Sequence, residues 1–218
     1  MAMPRDTATD AAAHPARRPR RPGAAITRLV QLHLLSRRVP AALVVMVACG
    51  ALFQATLRWH SDQHSLQVPL IIEAAAAAIV AVTTHSPFGE SERATGTWLP
   101  YLRLGAAVAL TAAAFASLLA GAAGANLLGG TVALLRNVFG IAGVGLLTAA
   151  AIGGSLSWIG PLAYLAVAEE ALSGGWHTPW IWPARPPGDF DSVICAALVF
   201  ASGLTVISLR GAHVTSRD

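Results

Sequence analysis

Small apolar residues recur along this chain in blocks, each broken by a short cluster of charge, glycine or proline. The blocks run to about 18 to 22 residues, the length a helix needs to cross a hydrocarbon core of about 30 Å. Six of them predict spanning helices: Val39–Leu57, Val68–His85, Leu104–Gly124, Thr131–Ile152, Ser155–Leu172 and Ser192–Leu209. Only Gly153 and Gly154 separate the fourth from the fifth. A single helix from 131 to 172 would be about 63 Å long at 1.5 Å per residue, twice the membrane core. The pattern therefore predicts two helices joined by a tight turn. Ahead of the first block, Ile26–Arg38 reads as an interfacial helix, although Leu32 and Leu35 fall off the face that Ile26, Leu29, Val30 and Leu34 define. Residues 1–24 combine Pro, Ala and Arg with too little apolar surface to offset ordering entropy, which predicts a disordered arm. The expected fold is an all-α polytopic bundle over residues 25–210, followed by a short tail at 211–218.

Composition sharpens this reading. The chain is 55% hydrophobic and 12% charged, against roughly a quarter charged for soluble domains. All fifteen of its basic residues other than histidine are arginine. The absence of lysine excludes a phosphate-binding loop ending in Gly-Lys-Ser/Thr, a Schiff-base lysine and a Ser-Lys dyad. Cys49 and Cys195 lie in apolar runs and suggest neither a metal site nor a disulfide framework. His60 and His64 are four apart but have no third ligand beyond Asp62, so exposed loop histidines are the simpler reading. The apolar run after Arg37-Arg38 resembles an export signal, yet some 35 residues precede it and five more blocks follow. An intramembrane serine protease has no support, because His213 lies beyond the last block and a nucleophile without a base in reach is inert.

Arginine placement predicts orientation. With the N-terminus in the cytoplasm, twelve arginines fall inside, Arg58 and Arg185 fall outside, and Arg136 lies within a span. Trp59, Trp176, Trp180 and Trp182 then sit at the outer interface, Trp98 and Trp158 at the inner one. The segment 173–191, with three Trp and four Pro, reads as an outer loop dipping into the headgroup region. Arg17, Arg18, Arg20 and Arg21 suit anionic lipid at about 1 kcal/mol each near the surface. Nothing aromatic or helical accompanies them to read bases, so no nucleic-acid partner is expected.

Four charged residues stand inside the apolar blocks, where such groups are costly unless paired or facing water. Glu73 and Arg136 fall at similar depth near the outer ends of the second and fourth blocks, and Glu169 and Glu170 offer Arg136 a second partner. A structural ion pair is one reading, a gate or polar wall of a translocation route is another, and a proton relay, which would prefer a carboxylate nearer the midplane, is the third. The third block also carries Ala113, Ser117, Gly121 and Ala125 at four-residue spacing, small enough for close helix approach.

The stretch His85–Arg103 is the exception to the avoidance of charge. Ser86 is placed to cap a short helix with Pro87 at its first position, Glu90 and Glu92 favour that helix's positive end, and Gly96 permits a turn before Trp98. Glu90, Glu92-Arg93 and Gly96-Thr97, following directly on a second span, resemble the E-R-x-x-G-T signature of ABC-2-type transporter permeases. The resemblance extends to the interfacial N-terminal helix, six spans, the short turn between the fourth and fifth, and the long connection before the sixth. One departure is that the third block begins at Leu104, within about seven residues of Thr97, where family members place a longer helical stretch. The resemblance implies that Glu90, Glu92 and Arg93 contact a separate ATP-binding subunit while Gly96 and Thr97 shape the turn. It also implies a second permease copy, and no cofactor in this chain, since ATP is hydrolysed by the partner. The alternative is a non-transporting membrane scaffold that recruits another cytoplasmic partner through the same patch. A secondary transporter is a third reading, disfavoured by the lack of a midplane carboxylate and of obvious broken-helix repeats.

Overall fold

In a computed structural model the described residues are 39–59, 67–83, 99–125, 127, 129–176 and 178–210. All lie in the compact unit Leu34–Asp218. The arm, the expected interfacial helix at Ile26–Arg38, the stretch 84–98 and the tail fall outside them. Among the described residues the structure is entirely helical: α1 (Val39–Trp59), α2 (Gln67–Val82), α3 (Leu99–Gly121), α4 (Gly130–Ile152), α5 (Ile159–Gly174) and α6 (Phe190–Arg210), with short 3-10 turns at Gly154–Leu156 and Trp182–Ala184. Each lies on one of the six apolar blocks.

Four of these helices, α1, α3, α4 and α6, are long and apolar enough to cross a membrane. The expectation of six full spans is met only in that coarser form. Helices α2 and α5 have 16 residues each, about 24 Å at 1.5 Å per residue. Helix α3 starts at Leu99, earlier than the expected Leu104, so Arg103 lies inside it.

Proline marks several starts. Pro40, Pro69, Pro100 and Pro161 all sit in the first turn of their helices, where the first N–H groups have no intrahelical acceptor and a missing donor costs nothing. The joint between α4 and α5 is the tight turn the glycine pair predicts. Gly153 takes φ 104°, ψ 154°, a backbone that suits glycine, and the chain re-enters a helix at Ile159.

Helix α4 is the hub. Of its apolar stretch 61% is buried, against 28–33% in the other three long helices. It packs on α6, α2, α5 and α3, while α1 lies chiefly on α3. One buried cluster gathers Leu70, Ile141, Leu146 and Phe200, and another gathers Met46, Phe53, Val80 and Leu118. Phe139 joins the two, edge-on to Phe200 at 4.8 Å and to Phe115 at 6.2 Å between ring centroids.

Apolar burial between helices gains little in lipid, so association rests on close packing. Gly50 of α1 and Gly121 of α3 bring two backbones together: a Cβ on Gly121 would collide with the Gly50 carbonyl, and one on Gly50 with the Ser117 carbonyl. Ser117 and Gly121 of the small-residue row thus form the α1–α3 crossing, whereas Ala125 lies past the end of α3. Helices α4 and α6 meet the same way, with Gly143 against the backbone of Phe200 and Gly203 against the Gly143 carbonyl. Since backbone cannot step aside as a side chain does, Gly121→Leu is expected to cost more than the usual 1–3 kcal/mol of overpacking. The measurement is thermal unfolding of the detergent-purified protein. Gly105→Leu, where nothing lies within 4 Å, should leave the transition within a degree or two of wild type.

Candidate functional site

One face of α4 carries Ala133, Arg136, Asn137 and Gly140, at the spacing that places residues on one side of a helix. Arg136 is 4% exposed and Asn137 9%, so both polar groups must find partners inside the bundle. The Arg136 guanidinium donates from Nη1 to the Pro186 carbonyl at 3.1 Å and to Ser192 Oγ at 2.9 Å, and from Nη2 to the Arg185 carbonyl at 3.4 Å. Asn137 donates from Nδ2 to Glu73 Oε2 on α2 at 2.9 Å.

This corrects the expected pairing. No ion pair joins Arg136 to Glu73, Glu169 or Glu170 among the described residues; the ion pair at this end of the bundle is Arg185–Asp189. Arg136 needs acceptors, and three backbone or hydroxyl oxygens of the 185–192 segment lie closer to it than any described carboxylate does. Glu73 is held by a neutral amide instead. Glu169 is half-buried with Oε1 unpartnered, and Glu170 is exposed on α5. Glu90, Glu92, Arg93, Gly96 and Thr97 lie outside the described residues, as do His60 and His64.

The connection 175–189 is built from the residues that grip it. Gly175 closes α5 in a left-handed conformation. Trp176 and Trp180 are about half exposed, at 46% and 49%, which suits an interfacial setting. Trp182 does not. It is 2% exposed, seated in the notch left by Gly140, where a Cβ would fall 2.5 Å from the indole ring. Its ring stacks on Tyr164 at 4.6 Å and 25°, and Tyr164 donates its hydroxyl to the Trp180 carbonyl at 3.0 Å. The loop therefore folds into the bundle, deeper than the headgroup placement expected of all its tryptophans.

Past Trp182 the chain turns back under Arg136. Arg185 forks onto Asp189 with bonds of 3.0 and 2.9 Å. Asp189 in turn caps α6, its Oδ2 accepting from the Ser192 N–H at 3.1 Å, while Ser192 Oγ donates to the Asp189 carbonyl at 2.8 Å. The hydrogen bonds from Arg185, then those from Ser192, hold the Asp189 carboxyl down at about 2 against the opposing pull of desolvation.

Between α1, α2, α4 and this connection lies a cavity of about 280 Å³. Its lining includes the polar side chains of Glu73, Arg136 and Asn137 and the apolar ones of Phe53, Leu57, Leu70, Leu127 and Leu172. Pro183, Arg185 and Pro187 come from the loop. The cavity lining is thus amphipathic, with polar side chains from α2, α4 and the connection. Asn137, Ser192, Asp189 and Trp182 were missed as site residues. Asn137 had one signal, as a second polar residue beside Arg136 in an apolar run, and Asp189-x-x-Ser192 reads as a helix cap. Nothing local marks Trp182 for burial.

Compared with protein-family models, curated proteins and solved structures, the chain matches none.

Replacing Arg136 by Gln removes a charged donor from three acceptors and should destabilise the loop by roughly 2–3 kcal/mol, the scale of a hydrogen bond to a charged group. Quenching of tryptophan fluorescence by acrylamide should then rise towards that of an open loop. The sign for Asp189 follows from its depressed pKa. Its contribution is complete above the unfolded value near 4 and is lost as pH falls through about 2. Loop protection in wild type should therefore fall across that window, while Asp189→Asn should start from the weakened level and lack this component.

Proposed function

We propose that this chain is the membrane-spanning permease subunit of an ATP-driven transporter of the ABC-2 type, most simply an exporter. The observation that carries the reading is the order of its parts. A charged Glu90–Thr97 stretch stands between α2 and α3, six residues (153–158) join α4 to α5, and a long connection precedes α6. A chain without lysine holds no phosphate-binding loop of its own, so the energy must come from a separate ATP-binding subunit. Glu90, Glu92 and Arg93 are its contacts in this reading. Both termini are cytoplasmic by the arginine distribution, anionic lipid holds the N-terminal arm, and a second permease copy completes the pathway.

Helices α2 and α5 then complete the six spans, as the second and the fifth, despite their length. A short hydrophobic stretch is accommodated by local thinning of the bilayer or by snorkelling of its flanking residues, at a fraction of a kcal/mol per ångström. The Glu73–Asn137–Arg136 wall shapes the half of the route nearest the 175–189 connection.

Purification of the tagged protein in mild detergent from its native cells tests this. An ATPase subunit should copurify in stoichiometric amount, and Glu92→Ala combined with Arg93→Ala should reduce it at least tenfold without altering the elution of the bundle. A folded preparation that retains no ATPase would overturn the transport reading and favour the membrane scaffold.

A further inference from the structure

The cavity beside Glu73 presents a one-sided chemistry. Of its polar wall, the Arg136 amino groups are engaged by Pro186, Ser192 and Arg185 oxygens. The Asn137 amide nitrogen is engaged by Glu73. Arg136 Nε and Asn137 Oδ1 have no partner but are walled in, away from any cavity occupant. Arg185 is forked onto Asp189. What remains is Glu73, 7% exposed. One of its oxygens accepts from Asn137, and the other receives no hydrogen bond from any described residue and is not among the walled-in atoms.

Among the described residues the polar side chains of the wall therefore offer an acceptor and no free donor. An anion would find Arg136 already spent on the loop. A hydroxyl would satisfy the acceptor with a neutral hydrogen bond, whereas an ammonium group makes the shorter and stronger charge-assisted one. The rest of the lining includes the apolar side chains of Phe53, Leu57, Leu70, Leu127 and Leu172. At about 280 Å³ the space is near the lower end of small-molecule sites, enough for one ring or a short chain.

We infer that this cavity is a binding site for a small amphipathic amine, with the protonated nitrogen on the free oxygen of Glu73 and the apolar portion against Phe53, Leu57 and Leu172. As a substrate site this rests on the transport reading; as a binding site it does not. The source of such a ligand, a free amine or the amine head of a lipid, does not alter the chemistry at Glu73.

The full chain in nanodiscs of zwitterionic phosphatidylcholine is titrated with 2-phenylethylamine, followed by calorimetry. The same titration is made with 3-phenylpropanoate and 2-phenylethanol, which match its shape without the ammonium group. Saturable one-to-one binding of the amine is expected, at least tenfold tighter than either analogue. Glu73→Gln should weaken it at least tenfold, and Leu57→Trp, which fills the apolar side and leaves Glu73 in place, should do the same should Glu73→Gln fail to fold. Displacement by phosphatidylethanolamine, but not by phosphatidylcholine, identifies the lipid-borne source; its absence assigns the site to free amines. Equal binding of the carboxylate, unchanged binding in both variants, or no saturable binding overturns the inference. Because no ATPase is present, loss of amine binding leaves the transport reading standing, and amine binding without a copurifying ATPase removes transport alone.

Discussion

A guanidinium buried in the central helix sets the terms for one whole end of this molecule. Arg136 is almost wholly buried in its place on α4, so most of its donors must be met from within. The acceptors it finds are the carbonyls of Arg185 and Pro186 and the hydroxyl of Ser192. Those three lie on the chain that leaves α5 and enters α6. Satisfying Arg136 therefore draws that connection down onto the bundle, aligns the first turn of α6, and places Pro183, Arg185 and Pro187 against the cavity. The Arg185–Asp189 pair and the Asp189 cap hold the same segment from the other side.

The grip would fail without space for it. Gly140 lies one turn along α4 from Arg136 and leaves the notch that Trp182 occupies. Trp182 brings Ile181 with it, and both end as buried as the helix interiors. Elsewhere the same device, a glycine where a side chain would block approach, seats α1 on α3 and α6 on α4. In a lipid-facing bundle this is the available route to contact area, since apolar side chains gain nothing by leaving hydrocarbon for each other. Helix α4 meets most of its neighbours and carries both the close-packed glycines and the polar residues.

These features bear directly on function. The polar wall at the loop end is rigidly made, with Glu73 held by Asn137 and Arg136 committed to the connection. A wall so fixed leaves one free acceptor facing an apolar enclosure, and that asymmetry selects the chemistry of an occupant. It also links occupancy to the loop: Arg136 touches both the cavity and the segment over it, so movement of that segment must break bonds that Arg136 makes. A transporter and an amine-binding scaffold would both use this coupling, and they differ in whether an ATPase drives it.

The order and placement of the helices were legible in the chain because hydrocarbon imposes length and composition on any segment within it, and glycine pairs such as Gly153-Gly154 break helices locally. The Ser117–Gly121 row was legible for the same reason, as spacing on one helix face. The lengths of α2 and α5 were not, since Thr83-Thr84-His85 after α2 and Ser155–Trp158 before α5 carry no formal charge to exclude them from an apolar block. Nor was the partner of Arg136. Sequence depth brought Glu73 and Arg136 to one level, and the structure does bring both to one cavity, but depth cannot say which oxygen lies nearer. Sequence alone determined that this chain is helical, apolar and built from six blocks, because those properties depend on neighbours a few residues away. Only the tertiary structure decided that Asn137 takes the carboxylate, that the loop takes the arginine and that Trp182 is buried, because each depends on groups about 50 or more positions apart, or on the empty space beside a glycine on another helix.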